Sequence, residues 1–295
     1  PRGFSPSSRF SLRNRALNSL NAISMKRIIA LLLALVSVVD CGAALKKIES
    51  DIPYQPQSTD EYILERCKLD IYAPENKPVK RLPVIVWFHG GGITAGNKSD
   101  FPKLIKELDI IFVTANYRLS PRIKAATAIE DAAAAVAWTF ENIEKFGGDK
   151  DKIYIGGHSA GAYLSGMVGF NPDFLKKYKM SNLDIAGLLL VSGQATSHFQ
   201  VRKDMGDKRA QYAPRIDENA ILWHVENKLP PVCLILGDRR IEFPERVEEN
   251  EFLAAVLKKM NTSPYVEFHE LQGFNHGDVA LAAPQLMKKF IERKK

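Results

Sequence analysis

The sequence predicts an α/β protein built on a mostly parallel central sheet with helices on both faces. Three observations carry this. Short apolar runs such as Leu82–Phe88, Ile110–Ala115 and Val232–Leu236 lack polar alternation, as strands covered on both faces do. Amphipathic or small-residue helical stretches separate them, and Gly-rich turns punctuate the strand ends. Alternating strand and helix implies parallel pairing through right-handed crossovers. At 295 residues, 45% hydrophobic and 25% charged, the chain suits one core and excludes fibrous, disordered and multi-pass membrane classes.

The formal charge of +7 is local. Arg2, Arg9, Arg13, Arg15, Lys26 and Arg27 have no acidic counterparts before residue 28, which leaves 35 basic against 34 acidic residues beyond them. No basic stripe with interleaved aromatics follows, so nucleic acid is not an expected partner. Residues 1–24 are set aside as an upstream or linker segment. Residues 25–43 have the pattern of a signal peptide: Lys26-Arg27, an apolar stretch from Ile28 to Val39, and small residues at Cys41-Gly42-Ala43. That stretch is too short for a bilayer span. A secreted or periplasmic location is therefore expected, with lipid anchoring through Cys41 as a minor alternative disfavoured by Asp40. The remainder, 44–295, reads as one domain.

Residues 61–72 read as an edge strand ending at Pro74, after a polar stretch from Ser50 to Asp60. Leu82–Phe88 is the first buried strand, stopped by His89-Gly90-Gly91-Gly92. A helix begun near Ser99 or Asp100 leads to the strand Ile110–Ala115. From Ala125 to Phe146, Ile129, Ala133, Val136 and Phe140 recur at helical spacing, and Gly147-Gly148 ends the run. Lys152–Gly156 is again a strand, and Ser159–Val168 a helix of small residues. Leu183–Val191, Pro231–Leu236 and Tyr265–Leu271 supply three more strands, with helices at about 244–260 and 281–294. Residues 193–229 are long for a plain connection and read as a small insert forming a lid or wall over the strand tips. Cys67 and Cys233 fall in strand-like runs, where free buried thiols are expected, with a bridge as the alternative.

Gly157-His158-Ser159-Ala160-Gly161 follows a strand and opens a helix, the context in which G-x-S-x-G presents a nucleophilic serine on a strained turn. A serine hydroxyl needs a base. His276 lies between the last strand and the terminal helix, where a loop can bring an imidazole over Ser159. The third member must be a carboxylate, and Gly237-Asp238-Arg239-Arg240-Ile241-Glu242 offers two. Asp238, nearer the strand tip, is the expected acid and Glu242 the alternative. Gly91 and Gly92, with Ala160, are the expected backbone N–H donors to a developing oxyanion. No Lys-Ser/Thr follows the glycines, and no metal-binding His or Cys spacing appears, so neither cofactor nor metal is expected.

Together these residues resemble the α/β-hydrolase superfamily, in its esterase group with a His-Gly-Gly-Gly oxyanion motif, including hormone-sensitive-lipase-like, feruloyl-esterase-like and arylformamidase-like members. The likeness runs over about residues 61–295 through Leu69-Asp70-Ile71-Tyr72-Ala73-Pro74, Trp87-Phe88-His89-Gly90-Gly91-Gly92, Asn116-Tyr117-Arg118-Leu119-Ser120-Pro121, Glu130-Asp131-Ala132, Trp138, Phe146-Gly147-Gly148-Asp149 and the serine motif. It implies the α/β-hydrolase fold and serine, acid and histidine in that chain order. It also implies an acid three residues beyond the strand-ending glycine, where this chain has Arg240; Glu242-Phe243 resembles an acidic-aromatic pair of the formamidase-like branch. The expected function is carboxylic ester hydrolysis on short or small acyl esters, with acetylated or feruloylated carbohydrate as a source. Arylformamidase-like amide hydrolysis and an inactive binding protein on the same fold are the alternatives. The expected partner is a small ester, with no nucleic acid and no membrane span in the mature chain.

Overall fold

A computed structural model of the chain describes residues 44–75 and 80–293. The leader segments 1–24 and 25–43, with Cys41, lie outside the described residues. Within 44–293 an eight-stranded sheet is formed by β1 (Leu45–Pro53), β2 (Lys68–Pro74), β3 (Leu82–Phe88), β4 (Ile111–Ala115), β5 (Gly148–His158), β6 (Gly187–Val191), β7 (Val232–Leu236) and β8 (Val266–Glu270). Their order is β1-β2-β4-β3-β5-β6-β7-β8. β1 and β2 pair antiparallel and β2 joins β4 antiparallel, while every pair from β4 to β8 is parallel.

The unalternating strands are buried on both faces as read. Val84, Val86 and Phe88 enter one apolar cluster with α2 (Thr127–Asn142), α3 (Ala160–Phe170) and α6 (Arg246–Met260). Ile85 and Trp87 enter the other, under α7 (Val279–Ile291). In chain order α4 (Asp173–Lys176) and α5 (Phe199–Asp204) fall between α3 and α6, and α1 (Glu61–Arg66) precedes β2. Cys67 and Cys233 are buried, free and in opposite clusters, so no bridge joins them.

Three element readings are corrected. Residues 61–72 are not one strand: the Asp60 side chain accepts from the N–H groups of Tyr62 and Ile63 and starts α1, and the chain turns extended only after Cys67. No helix starts at Ser99, because Asn97 and Asp100 side chains bind nearby backbone N–H groups in a local turn, and only a 3₁₀ segment, Lys103–Glu107, follows. The strand expected from Leu183 begins at Gly187, since Ser181 and Asp184 form a capping box on a 3₁₀ turn.

Buried ion pairs fix the part of the sheet that supports the glycine loop. Asp70, fully buried on β2, receives Lys98 and Lys47, and its carboxyl stays below the usual range because these contacts outweigh burial. Arg118 grips Asp131 of α2 with Nε and Nη2 at 2.9 and 2.8 Å and also reaches Asp60, the cap of α1.

Candidate active site

β5 and α3 meet at Ser159, whose φ of 55° and ψ of −118° lie in a region that L-residues seldom populate. The turn is held by the Ser159 N–H donating to the Val191 carbonyl at 2.8 Å. The flanking glycines are required by space: a Cβ on Gly161 would sit 1.9 Å from the Phe88 carbonyl oxygen, and one on Gly157 2.5 Å from the same atom. The serine is thus raised at the tip of the sheet on a turn no larger residue can make.

His276 occupies the loop between β8 and α7. Asn275 organises that loop, its side chain accepting from the N–H groups of Gly277 and Asp278 at 3.0 and 2.9 Å. His276 Nε2 lies 2.9 Å from Ser159 Oγ, and Nδ1 lies 2.6 Å from Glu242 Oε1. The His276 carbonyl accepts from His158 Nε2 at 2.7 Å, so the residue before Ser159 also holds the backbone of His276. His158 is neutral, its pKa brought down to about 4 chiefly by burial.

The structure brings Ser159 and His276 together but not Asp238; the carboxylate it sets against His276 is that of the alternative, Glu242. The Asp238 carbonyl accepts from the N–H groups of Ile241 and Glu242 at 2.9 and 2.8 Å, so one helical turn carries the later residue back toward His276. The Asp238 carboxylate instead accepts from Arg240 Nε at 2.8 Å and from the Gly273 N–H at 2.8 Å, bracing the loop of Glu242 against the loop of His276. Arg240 keeps that carboxyl well below the usual range, against a smaller effect of burial.

Glu242 is surrounded by donors. Oε1 accepts from the Phe243 N–H at 2.8 Å as well as from His276; Oε2 accepts from the Ser192 hydroxyl and from the Gly237 N–H at 3.3 Å. Burial pushes its carboxyl up, but His276, Ser192 and the Phe243 N–H outweigh it and hold the pKa at about 2. A carboxylate at this point obliges Nδ1 to carry the proton, which leaves Nε2 free to accept from Ser159.

The expected oxyanion donors sit beside Ser159. Gly91 and Gly92 turn with φ of 102° and 63°, and a Cβ on Gly91 would lie 2.3 Å from the Ala95 carbonyl oxygen. Among the described residues the N–H groups of Gly91, Gly92 and Ala160 donate to no protein acceptor. Beneath them His89, buried and neutral, donates from Nδ1 to the Gly90 carbonyl at 2.7 Å and stacks on Tyr117 at 4.3 Å.

Sequence reading missed Ser192, and it expected a lid or wall from residues 193–229 without assigning its aromatic side chains a place at the site. Phe243 stacks on the His276 ring at 3.9 Å, Tyr212 lies 5.5 Å from Phe243, and Phe199 lies 6.4 Å from Tyr212 and against Gly92. Phe199 and Tyr212 come from the 193–229 insert, which forms a folded wall: Arg202 binds Asp207 and the carbonyls of Ala210, Gln211 and Ala213. Only Phe243 had a signal, in the Glu242-Phe243 pair.

The arrangement can relay a proton from Ser159 to His276 beside a preset group of N–H donors. Comparison with known proteins accords with that chemistry. The carboxylesterase family matches residues 49–269. Esterase LipQ of Mycobacterium tuberculosis is 38% identical over 127 residues, covering 41% of this chain and 29% of that protein. Para-nitrobenzyl esterase of Bacillus subtilis is 39% identical over 108 residues, covering 32% of this chain and 22% of that protein. The matched stretches thus span less than a third of these relatives' length. Among solved structures, esterase B from Lactobacillus rhamnosis superposes with a TM-score of 0.67 at 18% identity over 95% of this chain and 96% of that one. A bacterial heroin esterase gives 0.65 at 20% identity over 91% of each. At such identities the likeness shows the fold, which is the α/β-hydrolase fold expected. With the family matched over most of its length, the chain belongs to the carboxylesterase family.

Proposed function

We propose that the chain hydrolyses carboxylic esters of short or small acyl groups, with Ser159 as nucleophile, His276 as general base and acid, and Glu242 as the orienting carboxylate. The observation that carries this is the position of His276, within hydrogen-bond reach of Ser159 Oγ through one ring nitrogen and of a buried carboxylate through the other. His276 Nε2 takes the hydroxyl proton as Oγ attacks the ester carbonyl. Glu242, ionised, stabilises the imidazolium that forms. The N–H groups of Gly91, Gly92 and Ala160 receive the oxyanion. His276 then protonates the leaving alcohol, and in a second round it activates the water that releases the acid.

Small acyl groups are favoured because Phe199 closes over Gly92, and the wall it shares with Tyr212 and Phe243 stands at the base. Acetylated or feruloylated carbohydrate fits this reading. The leader supports export, with removal of residues up to about Ala43; N-terminal sequencing of exported protein tests that part.

The decisive assay is chain-length profiling with 4-nitrophenyl esters from acetate to palmitate. Activity should be highest at C2 to C6 and vanish in Ser159→Ala. A maximum at C12 or longer that rises above the micelle threshold would overturn the small-ester reading. Full activity in Ser159→Ala would overturn the nucleophile.

A further inference from the structure

The sheet edge at β8 brings together three side chains of metal-ligating type that play no part in the chemistry above. Cys233 on β7 is paired in register with Glu267 on β8, and His269 follows two residues later, on the same side of the strand. Their donor atoms lie within 4.8 Å of one another, with Cys233 Sγ 4.0 Å and His269 Nε2 2.7 Å from Glu267 Oε2. Cys233 is fully buried, while the Glu267 and His269 side chains keep 21% and 30% of their surface. The side they share faces α7, beside Tyr265 and Phe290, where an apolar pair would be the simpler filling. Sequence spacing showed no metal motif because the donors come from two strands and meet only through the parallel register.

We propose that Cys233, Glu267 and His269 bind a divalent ion of the zinc class and that this ion clips the outermost strand, β8, to β7. Thiolate, imidazole and carboxylate are the donor set that a tetrahedral Zn²⁺ accepts, with water at the open fourth position. Bond lengths of about 2.0–2.3 Å place tetrahedral donors roughly 3.3–3.8 Å apart, so the Glu267–His269 contact opens and the Glu267–Cys233 contact closes. The protons balance. The Cys233 thiol releases its proton to solvent, and the His269 proton now directed at Glu267 passes by way of water to Nδ1, leaving Nε2 for the metal. The charge of the ion then cancels those of the thiolate and carboxylate, so the half-buried site carries no net charge. β7 runs into the loop of Glu242 and β8 into the loop of His276, so the clip joins the two strands that present acid and base.

The test is titration of the full, chelator-treated chain with Co²⁺, followed by displacement with Zn²⁺. The expected result is a thiolate-to-cobalt absorption in the near ultraviolet with tetrahedral bands in the visible. Cys233→Ser should abolish the near-ultraviolet band, Cys67→Ser should retain it, and His269→Ala should weaken Co²⁺ affinity by at least ~10-fold. Zn²⁺ should raise the Tm of the wild-type chain and not of His269→Ala. Absence of the near-ultraviolet band in the wild-type chain overturns the site, as does a band that survives Cys233→Ser. Should Cys233→Ser not fold, the half-exposed His269→Ala decides alone, and an unchanged affinity there overturns the site. None of these readouts uses ester hydrolysis, so they stand apart from the proposed activity.

Discussion

Replacing Glu242 by Gln separates its role from that of Asp238. The shape is retained and the charge is lost. In the wild-type chain every group facing the two carboxylate oxygens is a donor or can act as one: His276 Nδ1 and the Phe243 N–H on Oε1, the Ser192 hydroxyl and the Gly237 N–H on Oε2. An amide presents one NH₂ to this ring of donors. Turned toward His276, it selects the tautomer with the proton on Nε2, which cannot accept from Ser159. Turned toward Gly237, it faces another N–H, and the imidazolium still lacks its counter-charge. Loss of a triad carboxylate by this route lowers kcat by ~10³–10⁴, equivalent to about 4–5.5 kcal/mol of transition-state stabilisation. Asp238→Asn removes a contact with Arg240, whose side chain is 72% exposed, and such a pair contributes about 0–1 kcal/mol; its kcat should fall by less than ~10-fold. Initial rates on 4-nitrophenyl acetate with circular dichroism on both variants decide the matter. A near-normal kcat in folded Glu242→Gln beside a collapse in folded Asp238→Asn would refute the reasoning.

The low pKa of Glu242 also sets a pH dependence. Its folded value lies below the ordinary 4.5, so its contribution to stability is complete above that pH and is lost as pH falls toward about 2; denaturant unfolding should show wild type and Glu242→Gln differing at pH 6 and converging at pH 2. Asp70→Ala leaves the buried Lys98 with only the exposed Asp51 at 3.1 Å and should cost less than the about 3–5 kcal/mol of a fully unpaired buried charge, yet more than the about 0–1 kcal/mol of a surface pair, in the same measurement. Gly161→Ala drives a methyl group into the Phe88 carbonyl and should yield insoluble protein or a Tm lowered by many degrees, with activity lost in any soluble fraction. A soluble, fully active Gly161→Ala would mean that the chain crossing is looser than described.

The core strands were legible because β3, β4, β6 and β7 are buried on both faces, and continuous apolar sequence has few other uses. The same logic failed at the other edge of the sheet. β1 is almost wholly exposed and carries Lys46, Lys47, Glu49 and Asp51, so its sequence has no apolar face to betray it, and it is specified by pairing with β2. Ser159 and His276 were legible from the turns that carry them. The carboxylate that faces His276 was not, because counting from a strand tip assumes an extended path, and the backbone instead coils at Asp238 so that the later carboxylate points inward. Ser192 could not be found by any motif: it reaches Glu242 across 50 residues of sequence because β6 and β7 are neighbours.

The backbone angles at Ser159 carry a consequence for how this protein divides its resources between working and lasting. A non-glycine residue in such a conformation costs on the order of 1–3 kcal/mol, which the rest of the structure must absorb. Glycine adopts the same angles with little penalty, at the expense of greater freedom in the unfolded chain. Ser159→Gly should therefore be inert yet melt no lower than the wild-type chain, and selection for heat resistance alone would drift toward losing the hydroxyl proposed to attack the ester. The residue proposed to carry the chemistry is one that the fold would be more comfortable without.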